Sequence, residues 1–498
     1  MKNTIWIVLL FPFWALAQNE VNIQFHIKNA KSSSILIFNN DFTNPDVLFG
    51  NTTTQVPLID GKTNWKHQIS NPIFITARYR DSITRKYFSY IFFLSPKDDL
   101  DFSFDANSPE TTVVVKGKGA RNNQPLIQKL INDEPSFESH KKDSLPDDVL
   151  KAINVRNIAN QKTLKDYISE NRPTKEFIDI HSLYVKYFPL WTYIDFKGDQ
   201  KFNIKEPFIR NEHKWQAIED SLININSVNN QEILVIPDYV YFLPLYLSRI
   251  KERLWEHHEL LKEYYHTDTH EEATEMLKED PDNLLKEKII EKHFTGKTAE
   301  FLYAILFKRA INEKENNLPE IFSRFTEKYP HSPYIPHIEP FIKTILKKRE
   351  RTLTDEMVLL ENPKSYQTFD DILTLMKDKT VLVDMWGTWC GPCRSELSLH
   401  SEAIKNHFKD KPLHYLYIAN HDIPNEDKWK ELIPYYNLTG THILASSELT
   451  RDIMAKVKGQ GYPTYIIIKK DGTFELSEAG YPMNREVLIN QLEDAMND

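Results

Sequence analysis

The sequence predicts a multidomain protein with a small antiparallel β domain at the N-terminus, an all-α domain in the centre and an α/β domain at the C-terminus. The chain has 498 residues, which is more than one domain usually holds. Its apolar pattern changes from short alternating runs to long helical stretches, and then to strands that alternate with helices. Seven of the 13 glycines fall in residues 354–498, which marks a change in composition there.

A cleavable export signal is predicted for residues 1–17. Lys2 precedes an apolar run, and Ala15 and Ala17 are small residues at the two positions that a signal peptidase reads. The run is shorter than the about 20 residues that span a bilayer. We therefore expect cleavage before Gln18 and a mature periplasmic protein that does not span the membrane. The alternative is an uncleaved signal that anchors the protein in the inner membrane.

Residues 18–123 are expected to form the β domain, as a small sandwich or barrel. Short alternating or aromatic runs separated by turn residues are typical of such domains. Strands are predicted at 21–27, 34–38, 74–79, 86–93, 100–104 and 111–115.

Residues 124–351 are rich in charge and in helical periodicity, and they are expected to form the all-α domain. The aromatic run 184–196 is interpreted as core. Four histidines suggest a metal site, because His-x3-His can hold zinc or copper on a helix. These are His257, His258, His266 and His270. The residues between His266 and His270 indicate a loop, however, so no metal site is predicted.

Residues 352–498 are expected to form the α/β domain, and they contain both cysteines of the chain. The apolar run 380–386 predicts a buried strand that leads into Trp389-Cys390-Gly391-Pro392-Cys393. A helix follows, with Cys393, Leu397, Ile404 and Phe408 on its inner face and Arg394, Glu396, Glu402 and Lys405 on its outer face.

The two cysteines indicate redox chemistry. Structural zinc needs four ligands, and no second ligand pair with suitable spacing is present. Cys390 precedes a helix N-terminus, where the helix dipole and unpaired N–H groups favour a thiolate. The thiolate is the species that attacks disulfides.

These motifs, together with Gly461-Tyr462-Pro463-Thr464 before a strand, resemble the thioredoxin superfamily over residues 354–498. The segment from Trp386 to Leu397 is similar to its envelope TlpA/ResA-like branch. The resemblance implies that Cys390 is the nucleophile and Cys393 the resolving thiol. It also implies that Asp384 is a buried proton acceptor and that Pro463 is a cis-proline facing the disulfide.

The resemblance further implies a set of substrate-binding residues around the dithiol. They are Trp389, Gly391, Pro392, Tyr462 and Glu396. Glu396 has a second interpretation, in which it complements the helix dipole. The related branch often carries a proline two residues after this glutamate, whereas this chain has Ser398.

The function expected from these features is the reduction of protein disulfides in the periplasm, with no cofactor beyond the Cys390–Cys393 pair. Its partners would be proteins with disulfides or cysteines and a membrane electron donor of the DsbD type. A net charge of −9 disfavours nucleic acid as a partner. Two alternatives remain open: a binding or scaffold protein in which the redox module acts as a sensor, and a dimeric disulfide isomerase.

Overall fold

The computed structural model describes residues 19–131, 142, 145–311, 317–360 and 365–497. The predicted signal at 1–17 lies outside the described residues. The chain divides into two compact units, Met1–Met276 with Lys286–Tyr303 and Leu277–Leu285 with Ala304–Asp498. The three expected kinds of structure are present: an N-terminal β region, a large helical middle and a C-terminal α/β sheet. The domain boundaries expected from the sequence stay a prediction.

The N-terminal β region consists of two sheets, with strand orders β4-β1-β7-β8 and β3-β2-β5-β6 among the described residues. Two short helices, α1 (Pro45–Phe49) and α2 (Pro109–Thr112), lie between strands. The strands are β1 (Glu20–Lys28), β2 (Ser34–Asn39), β3 (Thr53–Pro57), β4 (Lys62–Gln68), β5 (Ile73–Arg80), β6 (Tyr87–Leu94), β7 (Asp99–Asp105) and β8 (Val114–Lys118).

Alternate residues of the two sheets form one apolar core, in the manner of a sandwich. Phe25, Phe92 and Phe102 meet at its centre, with ring centroids 5.0 to 6.3 Å apart. Most strand pairs are antiparallel as expected, but β1 and β7 run parallel. Sequence reasoning missed β3 and β4, whose composition is mostly polar because one side of each faces solvent.

Two side-chain amides form hydrogen bonds with the backbone of the edge strand β6. Asn123 accepts a hydrogen bond from the N–H of Phe93 at 2.8 Å and donates to the carbonyl of the same residue at 2.9 Å. Gln128 pairs in the same way with Ile91, at 3.0 and 2.8 Å. The two amides thus act as a short additional strand, which satisfies backbone groups that an exposed edge would leave unpaired.

The helical middle follows, and its first long helices pack on the β region within the first unit. Phe93 contacts Phe177 on α5, and His181 stacks on Phe177 at 3.8 Å. The helices are α3 (Gln128–Ile131), α4 (Pro146–Asn171), α5 (Lys175–Ile204), α6 (Glu206–Arg210), α7 (Glu212–Ile225), α8 (Pro237–Glu256), α9 (Lys262–Tyr265), α10 (His270–Glu279), α11 (Asn283–His293), α12 (Gly296–Ala310), α13 (Leu318–Lys328) and α14 (Ile335–Arg349).

The histidine stretch does not form a metal site in the part of the chain that the structure describes. His266 ends α9 in a left-handed conformation with φ 55°, and α10 begins only at His270. The two side chains therefore do not share one helix face. His257 and His270 instead lie beside the acidic residues Glu259 and Glu271.

The C-terminal sheet has the strand order β14-β13-β10-β11-β12-β9. Its strands are β9 (Met357–Leu359), β10 (Thr380–Trp386), β11 (Leu413–Ala419), β12 (Gly440–Leu444), β13 (Thr464–Ile468) and β14 (Phe474–Leu476). Its helices are α15 (Phe369–Leu375), α16 (Gly391–His407), α17 (Glu426–Tyr435), α18 (Ser447–Val457) and α19 (Arg485–Asn497). The predicted strand at 380–386 is confirmed.

Apolar layers cover both faces of this sheet, so β10 is buried along its whole length. β10 pairs in parallel with β11 and antiparallel with β13, which places it in the middle. A central strand of this kind holds the residues at its carboxyl end in a fixed position, and that end leads directly to the cysteines.

Replacing Asn123 by alanine is expected to lower the free energy of unfolding of the first unit by roughly 2–4 kcal/mol. The change leaves the buried N–H and C=O of Phe93 without partners, and each lost partner costs about 1–3 kcal/mol. Urea denaturation measures the loss. The matched control is Gln128→Ala, which is expected to cost less because water reaches this half-buried amide. An Asn123→Ala protein as stable as the wild type would contradict the strand-like role of the amide.

Candidate active site

Cys390 and Cys393 form a disulfide at the junction of β10 and α16, with their Cα atoms 5.3 Å apart. Cys390 occupies the N-cap of α16, and its sulfur accepts a hydrogen bond from the backbone N–H of Cys393 at 3.1 Å. Both cysteines are buried, with 3% and 1% of their surface exposed. In the dithiol form, the same N–H group and the helix dipole would stabilise a Cys390 thiolate.

A buried aspartate fixes the loop that precedes Cys390. Asp422 accepts hydrogen bonds from the backbone N–H of Thr388 at 2.7 Å and from its hydroxyl at 2.6 Å. The backbone and side-chain N–H groups of Asn420 both donate to the carbonyl of Trp386. Asn420 and Asp422 follow the end of β11, the parallel neighbour of β10. The carboxyl end of one strand therefore holds the carboxyl end of the next.

Trp389, the residue before Cys390 in the chain, lies beside Tyr462. Their rings meet edge to face at 5.8 Å, and the indole N–H of Trp389 donates to the carbonyl of Asn420 at 2.9 Å. Half of Trp389 remains exposed (52%). A Cβ at Gly387 would come within 2.4 Å of the indole nitrogen, so this position has no room for a side chain while Trp389 stays in place.

The remaining residues implied by the resemblance lie around the same junction. The Tyr462–Pro463 peptide bond is cis, in agreement with the expectation from the sequence. Gly391 and Pro392 form the first turn of α16, where Pro392 is exposed. A Cβ built at Gly391 or at Gly461 meets no heavy atom within 4 Å, which shows open space beside both backbones.

Asp384 lies in the middle of β10, where its register partners are Tyr417 on β11 and Tyr465 on β13. Only 7% of the residue is exposed, and its Oδ1 atom has no hydrogen-bond partner within the described residues. Burial, together with the negative charge of Glu396, raises the pKa of Asp384 to about 7. Asp384 therefore changes its protonation state near neutral pH.

Glu396 is buried, with 5% exposed, so its predicted place on the outer face of the helix is wrong. The loop before α19 packs over this face of α16, and the backbone N–H of Met483 donates to Glu396 at 3.3 Å. The Nε2 atom of His400 lies 3.3 Å from the same carboxylate oxygen, Oε2. Contacts from a loop that is distant in sequence, rather than the helical period, thus decide the environment of Glu396.

The two buried carboxyl groups line one small cavity. Asp384 and Glu396 share it with Tyr417 and Tyr465, and its volume is about 20 Å³. A space of this size holds about one water molecule. The cavity brings together two site residues that the sequence places on different elements, one on β10 and one on α16.

Sequence reasoning missed the residues that position the dithiol loop, namely Gly387, Thr388, Asn420 and Asp422. One signal was present: Asn420-His421-Asp422 follows the largely apolar run 413–419, and polar side chains at the ends of neighbouring parallel strands lie near one another. The contact between Asp422 and Thr388 could not be predicted from the sequence, because it depends on which strands pair.

A family model described as thioredoxin-like matches residues 378–474. The thioredoxin domain of a thiol-disulfide oxidoreductase from Bacteroides vulgatus is 26% identical, with 25% of this chain and 84% of that chain covered and a TM-score of 0.22. A thiol:disulfide interchange protein from Bacteroides sp. is also 26% identical, with coverages of 25% and 78% and a TM-score of 0.21.

A thioredoxin family protein from Chlorobium tepidum, named as a thiol:disulfide interchange protein, is 20% identical, with coverages of 25% and 83% and a TM-score of 0.21. Residues 378–474 of this chain thus contain a thioredoxin-like domain with a Cys-x-x-Cys disulfide. Among the described residues, no helix has the length and hydropathy that crossing a membrane requires.

Replacing Asp384 by asparagine is expected to stabilise the oxidised protein above pH 7. The folded-state pKa of about 7 lies above the ordinary value of 3.8, so the folded protein binds the extra proton between these values. Wild-type stability therefore falls as pH rises through this window, and the variant lacks that loss. The expected gain at pH 8 is on the order of 3 kcal/mol, and it shrinks toward pH 4.

Urea denaturation of both proteins at several pH values measures this difference. The matched control is Asp427→Asn, which removes the same charge from an exposed position on α17. A difference between wild type and Asp384→Asn that does not change with pH would contradict the raised pKa.

Proposed function

We propose that this protein is a periplasmic thiol-disulfide oxidoreductase of the TlpA/ResA-like branch that reduces disulfides in other proteins. The observation that carries the proposal is the placement of the only two cysteines of the chain. They form a disulfide at a helix N-terminus, where a backbone N–H already donates to the sulfur of Cys390. This arrangement supplies both an activated nucleophile and a second thiol within reach of it.

The reaction begins with the dithiol form. The Cys390 thiolate attacks one sulfur of the substrate disulfide, forms a mixed disulfide and releases the other substrate sulfur as a thiolate. Cys393 then loses its proton and attacks the Cys390 sulfur. This step releases the second substrate thiol and forms the Cys390–Cys393 disulfide. The substrate gains two electrons, which the protein loses. One of the two protons on the product thiols comes from Cys393, and the other comes from the solvent, which took up a proton when Cys390 became a thiolate.

Asp384 is the proposed acceptor for the proton of Cys393. A carboxyl group with a pKa of about 7 accepts a proton in one step and returns it in another near neutral pH. The adjoining cavity has room for about one water molecule between the buried carboxyl groups. A carboxyl group with an ordinary pKa would stay ionised at neutral pH and would serve this exchange less well.

Substrate is proposed to bind along the open side of the disulfide. Open space beside Gly391 and Gly461 leaves room for an extended polypeptide near Cys390. The backbone of Tyr462 and Pro463 would pair with that segment as an added strand. Trp389 and Pro392, the neighbours of Cys390 and Cys393 in the chain, add exposed apolar surface. Glu396 is buried, so its proposed influence on substrate acts through Asp384 rather than by direct contact.

The dithiol has to be regenerated after each turnover, and a membrane electron donor of the DsbD type is the proposed source of the two electrons. The predicted signal at 1–17 supports a periplasmic location for this cycle. The cysteine pair is the proposed redox group, with no further cofactor.

The Cys393→Ser variant is expected to accumulate a mixed disulfide with substrate, because Cys390 still attacks but no thiol resolves the product. Incubation with insulin, followed by non-reducing electrophoresis and mass spectrometry, detects this adduct. The Cys390→Ser variant is the matched control, and it should form no adduct because Cys393 lies inside α16 and lacks the N-cap position that favours a thiolate. Wild-type protein with dithiothreitol should reduce insulin, whereas both variants should lose at least about 100-fold of this activity.

Adduct formation through Cys393 instead of Cys390 would contradict the assigned roles. In cells, retained biological activity of the double variant Cys390→Ser/Cys393→Ser would contradict the enzyme proposal and would favour a binding protein.

A further inference from the structure

A cavity of about 330 Å³ lies between α5 and α8 in the first compact unit. It lies outside the thioredoxin-like residues 378–474 and contains neither cysteine. Its volume falls at the small end of the range for small-molecule sites. It is lined by Tyr184, Phe188, Trp191, Thr192, Ile194, Asp195, Asp238, Tyr241, Phe242 and Leu245.

One stripe of each helix supplies nearly all of this lining. On α5 the lining residues 184, 188, 191 and 195 are three or four positions apart, and on α8 the residues 238, 241, 242 and 245 follow the same rule. The floor is buried and aromatic, whereas Tyr241 and Leu245 at the rim are 60% and 42% exposed. The aromatic run 184–196, interpreted from the sequence as core, therefore also forms the wall of an open cavity.

The two helices run parallel, which fixes where the two acidic lining residues lie. Tyr187 meets Tyr239 at 6.3 Å, the guanidinium of Arg249 donates to the backbone carbonyl of Asp195 at 3.2 Å, and Lys201 pairs with Glu256 at 2.7 Å. Asp238 on α8 thus lies at the same position along the helix axes as Lys186, the residue before Tyr187 on α5. At 1.5 Å per residue, Asp195 lies about 14 Å further along the helix axes. The cavity has one carboxylate toward each end.

The charge around the Asp195 end remains negative after its neighbours are counted. Arg249 interacts with four carboxylates, Glu219, Asp195, Glu252 and Asp199. Lys197 neutralises Glu219 through a 2.6 Å ion pair, and Lys201 interacts with Glu256, Glu252 and Glu212. These three cations thus face six carboxylates among the described residues, so the cavity attracts cations at this end.

We propose that this cavity binds a linear aliphatic polyamine, with an ammonium group near each of Asp195 and Asp238 and the methylene chain against the aromatic wall. The spacing of the carboxylates favours a ligand whose two positive charges are separated by an apolar chain. Aromatic faces attract ammonium groups as well as methylene groups, and Tyr184, Trp191 and Tyr241 supply such faces.

Isothermal titration calorimetry on the intact oxidised protein tests this proposal with three ligands of equal chain length: 1,8-diaminooctane, n-octylamine and 1,8-octanediol. Saturable binding is expected for the diamine, at least about tenfold weaker binding for the monoamine and none for the diol. Spermidine should compete with the diamine. Higher salt should weaken binding, because ions screen the partly exposed carboxylates.

Asp195→Asn and Asp238→Asn are each expected to weaken diamine binding by about tenfold or more, because each removes one charge-assisted contact. Asp179→Asn is the matched control, since it removes the same charge from an exposed position of α5 outside the cavity. Tyr241→Ser removes an exposed aromatic ring at the rim of the cavity without a change in charge, and it should also weaken binding. Circular dichroism checks that each variant is folded.

Three results would each overturn the proposal. They are the absence of saturable diamine binding, equal affinity for diamine and monoamine, and wild-type affinity in both the Asp195→Asn and the Asp238→Asn variants. Saturable binding of a tetralysine peptide without any binding of the diamine would also overturn it, in favour of a basic protein segment as the occupant.

Discussion

The position of the disulfide depends on the junction between the buried strand β10 and helix α16. Apolar packing on both sides fixes the strand, and the hydrogen bonds from Thr388 to the buried carboxylate of Asp422 fix the turn that follows. Charge-assisted hydrogen bonds of this kind are stronger than neutral ones, and burial protects them from water. Because this turn is held, Cys390 caps α16 and its sulfur meets the N–H of Cys393. The packing of β10 therefore determines where the sulfur of Cys390 lies.

A second constraint is the burial of two carboxyl groups on β10 and α16, the elements that flank the cysteine pair. Asp384 and Glu396 are each more than nine-tenths buried, and the charge of Glu396 disfavours ionisation of Asp384. Such a pair costs folding free energy at neutral and higher pH, since a buried charge lacks the solvation that water provides. The same burial brings the pKa of Asp384 into the range where proton transfer is reversible. The proposed proton transfer would thus use a group whose burial has a structural cost.

Much of the fold could be predicted because it follows from local periodicity. The strand Thr380–Trp386 is continuously apolar, and Cys393, Leu397 and Ile404 lie on one face of the next helix. The strands β3 and β4 were not predicted, because apolar residues are sparse in them and pairing alone defines them.

The parts of the site that sequence reasoning missed all depend on contacts between distant residues. Glu396 is buried by a loop 87 residues further along the chain, and Asp422 meets Thr388 across 34 residues. The amides of Asn123 and Gln128 complete the edge of β6 in the same non-local way. A family resemblance implies that Asp384 is a proton acceptor, and the structure adds Glu396, whose charge helps burial to raise the pKa of Asp384.

The reduction potential of the Cys390–Cys393 pair tests the central claim most directly. The purified mature protein would be equilibrated with glutathione buffers of known ratio, and the reduced fraction would be measured after acid quenching and alkylation. Because Gly-Pro separates the cysteines as it does in thioredoxin, we expect a potential near the value of thioredoxin, about −270 mV. A potential near that of the oxidant DsbA, about −120 mV, would contradict a reducing role and would make the protein a donor of disulfides.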